Sequence, residues 1–146
     1  GGIHVPCVMR LPGVLPEGRT IRQTSITMDL LPTILAAAGI APPRGRTFDG
    51  IDLMPFLTGR RNPQPRTLFW RFKRGNVVRK AVRDGDLKLV LDPREEALHD
   101  LAADPGEQKN LLPAAAGRAA PLRAKLAAWE RDVMAPRLRP FRTTPG

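Results

Sequence analysis

The sequence predicts an α+β fold: a small antiparallel sheet of about four strands with a helix laid across one face, preceded by a further strand and helix. Three observations predict it. Asp84-Gly85 separates two runs that can alternate, residues 77–83 and 87–91. An Asp-Gly pair so placed signals a hairpin, because a type I′ turn needs φ > 0 at both central residues. Leu122, Leu126, Trp129 and Val133 recur at i, i+4, i+7 and i+11, the stripe of an amphipathic helix. Residues 5–11 form a near-continuous apolar run, which suits a strand covered on both faces.

Taken in order, the chain opens on Gly1-Gly2-Ile3-His4 and then the 5–11 strand, with Pro6 at its entrance and Pro12-Gly13 at its exit. Residues 14–23 read as a polar connector with a turn at Pro16-Glu17-Gly18. Asp29 is a good N-cap, and it places Pro32 in the first turn, where a missing N–H costs nothing. Leu30, Leu31, Ile34, Leu35 and Ala38 then share a face, and Gly39 fits the C′ position. Asp52 can cap a single turn over residues 53–57 that ends at Gly59. Residues 60–66 are a Pro-rich exposed link. Leu68-Phe69-Trp70-Arg71-Phe72 is rich in β-formers, Lys73-Arg74-Gly75-Asn76 makes a basic turn, and residues 77–83 return. Leu87, Leu89 and Leu91 fall on one face, with Lys88 and Val90 on the other. Residues 98–101 add a short strand, which Asp104-Pro105-Gly106 stops. Pro121 suits position N1 of the last helix. Pro136 and Pro140 end that helix and begin a tail. The boundaries predicted are 1–66, 67–135 and a tail at 136–146.

Two segments carry a resemblance. Arg83-Asp84-Gly85-Asp86-x-Lys88-Leu89-Val90 is followed by Leu98-x-Asp100-Leu101-x-x-Asp104-Pro105-x-Glu107-x-x-Asn110-Leu111, and together they resemble the C-terminal subdomain of the type I sulfatases, the arylsulfatase family. Gly1-Gly2-Ile3-His4-Val5-Pro6 is similar to the family pattern Glu-Gly-Gly-x-Arg-Val-Pro, with the Glu absent and His4 standing for Arg. Met28-Asp29-Leu30-x-Pro32-Thr33 and the segment from Asp49 to Gly59 are similar to two further family segments, with Asp52 in place of the usual Ser. The resemblance runs over roughly residues 1 to 134. It implies an alkaline-phosphatase-like α/β architecture in which this chain supplies the last strand and helix of a large sheet and then the small sheet.

The resemblance also implies hydrolysis of sulfate esters by an enzyme that carries a formylglycine nucleophile and a Ca²⁺ ion. A sulfate ester repels a nucleophile, and a divalent cation with Lys, Arg and His donors offsets that repulsion and stabilises the transition-state oxygens. The nucleophile, the Asp and Asn metal ligands and the catalytic Lys of such enzymes fall upstream of this stretch. Cys7 does not fit the formylglycine pattern, because Met9 and Leu11 stand where Pro and Arg are needed. This chain is therefore expected to hold no catalytic residue and no metal or phosphate site of its own. Its first residue is Gly1 rather than Met, so it is expected to be a piece of a longer enzyme. The 5–11 strand is expected to lack sheet neighbours when the chain stands alone. The implied substrate is a sulfated small molecule or glycan, and the implied location is periplasmic or secreted. Two alternatives remain: a stand-alone module that binds anionic glycans or another protein, and part of a related phosphoesterase.

Candidate contact residues are His4, an imidazole beside the strand start, and the aromatic and basic group Trp70, Arg71 and Lys73, a rim for an anionic or sugar substrate. The formal charge is +10, from 24 basic and 14 acidic residues. That charge attracts anions, but its interspersed pattern and the lack of any recognised motif argue against nucleic acid. Cys7 is the only cysteine, so no internal disulfide forms. With 13 Gly and 16 Pro in 146 residues, roughly a fifth of the chain, composition stays below the disordered range. The apolar run 30–43 is too short and interrupted to span a membrane.

Overall fold

The computed structural model describes residues 3–134. Residues up to Pro65 and residues from Arg66 onward form two compact units.

In the first unit a 3₁₀ turn, Thr27–Asp29, leads into α1, Leu30–Ala37. Asp29 is fully buried, and its side chain does not cap α1 as the sequence suggests. Its carboxylate instead accepts from Ile26 N–H at 2.8 Å and from Ile51 N–H at 2.9 Å. A chain partner 22 residues away competes for the oxygens that a local cap would use. Thr33 extends the tie: its hydroxyl donates to the Asp29 carbonyl at 2.6 Å and accepts from Leu53 N–H at 2.9 Å. α1 ends as predicted. Gly39 has φ +68, Ile40 N–H bonds to the Leu35 carbonyl and Gly39 N–H to that of Ala36. Those are the paired bonds of a Schellman cap. Asp52 accepts from Met54 N–H at 2.8 Å and starts α2, Met54–Leu57, with Gly59 at φ +78 beyond its end.

The 5–11 strand does not form. Among the described residues the first unit contains no strand, and Val5 and Val8 are exposed. A strand without a neighbour leaves its backbone donors and acceptors unpaired, and Pro6 and Pro12 withdraw two of those donors. Leu31 and Ile34 of α1 are exposed as well.

The second unit holds the antiparallel sheet in order β1-β2-β3-β4: β1 Thr67–Arg74, β2 Val77–Asp84, β3 Leu87–Asp92 and β4 Glu95–Asp100. Three two-residue loops join them. Asp84 pairs with Leu87, so the central residues of the second loop are Gly85-Asp86. Gly85 has φ +60, and no Asp has positive φ. The hairpin signal was therefore one residue off. Glycine at the first central position is the type II′ requirement, which leaves Asp84 in the strand.

α3, Leu112–Met134, crosses one face. Val82, Leu89 and Leu98 sit side by side in register and pack with Ala119, Leu122 and Leu126 in one core. Each buried aliphatic side chain contributes about 2 kcal/mol. Phe69 stacks on Trp129 with ring centroids 5.2 Å apart. Val133, expected on the apolar stripe, is 42% exposed. The helix begins nine residues before Pro121, which lies inside it. Ala115, at φ −140 and ψ 38, marks a kink where two helical pieces join. Asn110 supplies the start signal, its side chain accepting from Leu112 N–H at 2.9 Å. The predicted tail, residues 136–146, lies outside the described residues.

Candidate functional site

Strand alternation divides the aromatic and basic cluster. Phe69 stacks on α3, so Arg71 and Lys73 share the helix side of β1 while Trp70, Phe72 and Arg74 face away. Arg71 Nε lies 3.9 Å from Glu130 Oε1 on α3. Its register partner Lys80 also reaches Glu130, at 2.8 Å. Two cations on one carboxylate fasten the helix to the edge of the sheet. Lys73 is exposed and Trp70 half-buried. His4 is exposed in the first unit, in a segment without regular structure.

The second concentration of chemistry is the turn between β4 and α3. Asp100 accepts from Ala102 N–H at 3.2 Å. Asp104 accepts from Lys109 N–H at 2.8 Å. The backbone N–H groups of Lys109 and Gln108, helped by the charge of His99, hold the Asp104 carboxyl below the usual carboxylate range. Asn110 makes four bonds. Its oxygen accepts from Leu98 and Leu112 N–H, and its amide donates to the Glu96 carbonyl and the Glu95 carboxylate. Leu111 N–H closes the loop on the Leu98 carbonyl at 2.8 Å.

Beneath the turn lies Lys88, 6% exposed. Its ammonium donates to both oxygens of Glu107 at 2.7 Å. Burial pushes the Glu107 carboxyl up, the Lys88 hydrogen bond and charge pull it down, and the net direction is down. Glu107 sits at φ +56, the left-handed region that side chains rarely adopt. His99, also buried, points Nδ1 at the Lys109 carbonyl at 3.0 Å, which makes that nitrogen the donor. An open concavity of ≈ 390 Å³ borders Val90, Ala97, His99, Gly106 and Glu107.

Three further carboxylates are held by close partners. A hydrogen bond from Lys125, then one from Thr67, lowers the Asp84 pKa. Arg123 lowers that of Glu96, and the Arg94 backbone followed by Arg79 lowers that of Asp92. Carboxylates held ionised by structural partners are poor proton donors near neutrality. Among the described residues no three His, Cys, Asp or Glu converge to hold a metal ion.

Sequence reasoning missed the Lys88–Glu107 pair, the double role of Glu130 and the bonds of Asn110. The signal was present in the spacing Asp104-Pro105-x-Glu107-x-x-Asn110, whose Asp104, Glu107 and Asn110 each meet a backbone or buried partner.

Comparison with known proteins points one way. The family described as "N-sulphoglucosamine sulphohydrolase, C-terminal" matches residues 1–131. The chain is 34% identical to human arylsulfatase A over 142 residues, covering 80% of this chain and 28% of that protein. It is 31% identical to mouse steryl-sulfatase over 148 residues, covering 81% and 24%. Among solved structures, a 2-O GAG sulfatase is 32% identical with a TM-score of 0.56, covering 73% of this chain and 25% of that one. The chain thus spans about a quarter of the length of these relatives.

Proposed function

The chain belongs to the N-sulphoglucosamine sulphohydrolase C-terminal family, and on that premise we propose that it is the C-terminal part of an enzyme hydrolysing sulfate esters. The chain supplies scaffold and part of the pocket rim, and no reacting group. One observation supports the reading: within the spaced motif from Asp100 to Leu111, Asp104 closes the turn and Asn110 ties β4 to the start of α3. The chemistry of the whole protein, with its formylglycine and calcium, belongs to residues outside this chain. The rim residues divide. His4 and Lys73 are exposed and can meet an anion, Trp70 offers a half-buried ring, and Arg71 holds the helix. The substrate class is a sulfated small molecule or glycan, and a periplasmic or secreted location follows from the same premise. No helix among the described residues is long and apolar enough to cross a membrane.

The test is to recover the reading frame around this sequence, express the protein it encodes, and assay 4-nitrophenyl sulfate and 4-nitrophenyl phosphate. The expected result is sulfate release by the full product and none by the 146-residue chain. Hydrolysis of the phosphate ester alone would move the chain to a phosphoesterase. Turnover by the 146-residue chain itself would overturn the scaffold assignment.

A further inference from the structure

We infer that Asp49-Gly50 is a site of spontaneous isomerisation to isoaspartate, and that the fold protects Asp84-Gly85 from the same reaction. These are the two Asp-Gly pairs in the chain. The reaction is intramolecular, exchanges only water with its surroundings, and does not depend on the sulfatase reading. The Gly50 backbone nitrogen attacks the side-chain carbonyl carbon of Asp49. A C–N bond forms, a carboxyl C–O bond breaks, and the hydroxyl leaves with the N–H proton as water, which closes a succinimide ring. Water then adds at the main-chain carbonyl of that ring and breaks its bond to the glycine nitrogen. The chain now runs through the former side-chain carbonyl, and the former main-chain carbonyl becomes a free carboxylate. Glycine favours the attack, because it has no Cβ to crowd its nitrogen and restricts the backbone least.

Hydrogen-bond partners separate the two pairs. Asp49 is exposed, and its carboxylate meets no hydrogen-bond or ionic partner among the described residues. Gly50 N–H donates to nothing there either. Both reacting groups are therefore available without breaking a bond. Asp84 differs at each point. Its carboxylate accepts from the Thr67 hydroxyl at 2.6 Å and from the Lys125 ammonium. Gly85 N–H donates to the Arg66 carbonyl at 3.2 Å. Asp84 also sits in register between Thr67 of β1 and Leu87 of β3. Ring closure there requires local opening of a paired strand, which is rare in a folded sheet.

The product forms at a crowded place. Isoaspartate lengthens the backbone by one carbon just before Gly50. A Cβ on Gly50 would already lie 2.1 Å from the Met28 carbonyl oxygen and 2.7 Å from the Asp29 nitrogen, so the longer chain must move away from its seat. The next residue, Ile51, donates to the buried Asp29 carboxylate at 2.9 Å. Isomerisation at Asp49 therefore strains the tie between Ile51 and the start of α1.

The experiment incubates the 146-residue chain at neutral pH, digests samples with trypsin, and locates isoaspartate by chromatography and electron-transfer fragmentation. A parallel incubation in concentrated urea unfolds the chain and leaves local sequence as the only difference between the two pairs. In the native chain isoaspartate at Asp84 is expected to lag about tenfold behind Asp49, since three bonds must open together before its ring closes. In urea that lag should vanish. Aged native protein enriched in the isomer should exchange the Ile51 amide faster than fresh protein. Asp49→Ser removes an exposed carboxylate without a partner, so it should abolish the product of that peptide and leave the circular dichroism spectrum unchanged. Equal rates at the two pairs in the native chain would overturn the inference, as would faster reaction at Asp84. Formation of isoaspartate at Asp49 only in urea would reject it too, because the first unit would then be holding that pair as firmly as the sheet holds the other.

Discussion

Lys88→Met tests the buried pair that the second unit is built over. The lysine and glutamate side chains keep only 7% and 12% of their accessible surface, and both carboxylate oxygens lie 2.7 Å from the ammonium. Removing the lysine leaves a buried carboxylate without that partner. Breaking a buried pair from one side costs about 3–5 kcal/mol, and the residual exposure of Glu107 puts the expected loss near the lower end, about 3 kcal/mol. Both tryptophans of the chain, Trp70 and Trp129, lie in this unit, so their fluorescence follows its unfolding by urea. With a slope of about 2 kcal/mol per molar, the midpoint should fall by roughly 1.5 M.

The pH dependence has a definite sign. A carboxylate whose folded pKa is depressed adds stability above its unfolded value and loses that stability as pH falls through the folded one. For Glu107 the reference is 4.5. In Lys88→Met the pull of the ammonium is lost and that carboxyl is held down less, so the gap between variant and parent should narrow on acidification below this value. The double variant Lys88→Met with Glu107→Gln should be less destabilised than the sum of the singles, by a coupling of about 2 kcal/mol. A loss below about 0.5 kcal/mol in Lys88→Met, the level of ordinary surface substitutions, would refute the reasoning. So would strict additivity.

Leu89→Ala empties a fully buried site at the centre of the sheet and should cost about 3 kcal/mol, read from the same urea transition. Asn110→Ala removes the acceptor of Leu98 and Leu112 N–H; a loss of about 2 kcal/mol is expected from unsatisfied backbone donors, with amide exchange accelerated first at Leu112. Gly50→Ala would place a methyl group 2.1 Å from the Met28 carbonyl oxygen. The backbone must shift to admit it, so thermal unfolding of the first unit should move down by about 2 kcal/mol equivalent. Asp84 and Glu96 both have lowered pKa values. Stability should therefore rise with pH through the acid range and level off once both carboxylates are ionised in the unfolded chain as well, which an acid titration followed by circular dichroism checks.

The sheet was legible because its signals are local. Glycine in two-residue loops and alternation along residues 77–91 determine a hairpin within a dozen positions, and the structure moves only the turn, by one residue, to Gly85-Asp86. The helix stripe of Leu122, Leu126 and Trp129 was equally local, yet the start of α3 was not. The stretch from Ala114 to Ala120 carries, apart from Arg118, only small side chains that bury little area and leave no stripe, so Pro121 drew the boundary to itself. Only the bond from Leu112 to Asn110, fixed by the approach of β4, reveals the earlier start. Asp29 shows the same limit from the other side. As a residue before a helix it reads as a cap, and only Ile51, brought near by the fold, shows that its oxygens serve a loop.

The candidate rim was legible as composition and not as geometry. Trp70, Arg71 and Lys73 are neighbours in sequence, and a strand sends neighbours to opposite faces. What the sequence offered as one cluster becomes a helix clasp at Arg71 and an outward line of Trp70, Phe72 and Arg74. The period of two was already in the residues. What the sequence could not supply was which face α3 would cover, and that choice is made by Phe69 meeting Trp129. Once the ring pair fixes the buried side, every other residue of β1 is assigned. The other side then carries the buried Leu68 at one end of the strand and the exposed Phe72 ring toward the other.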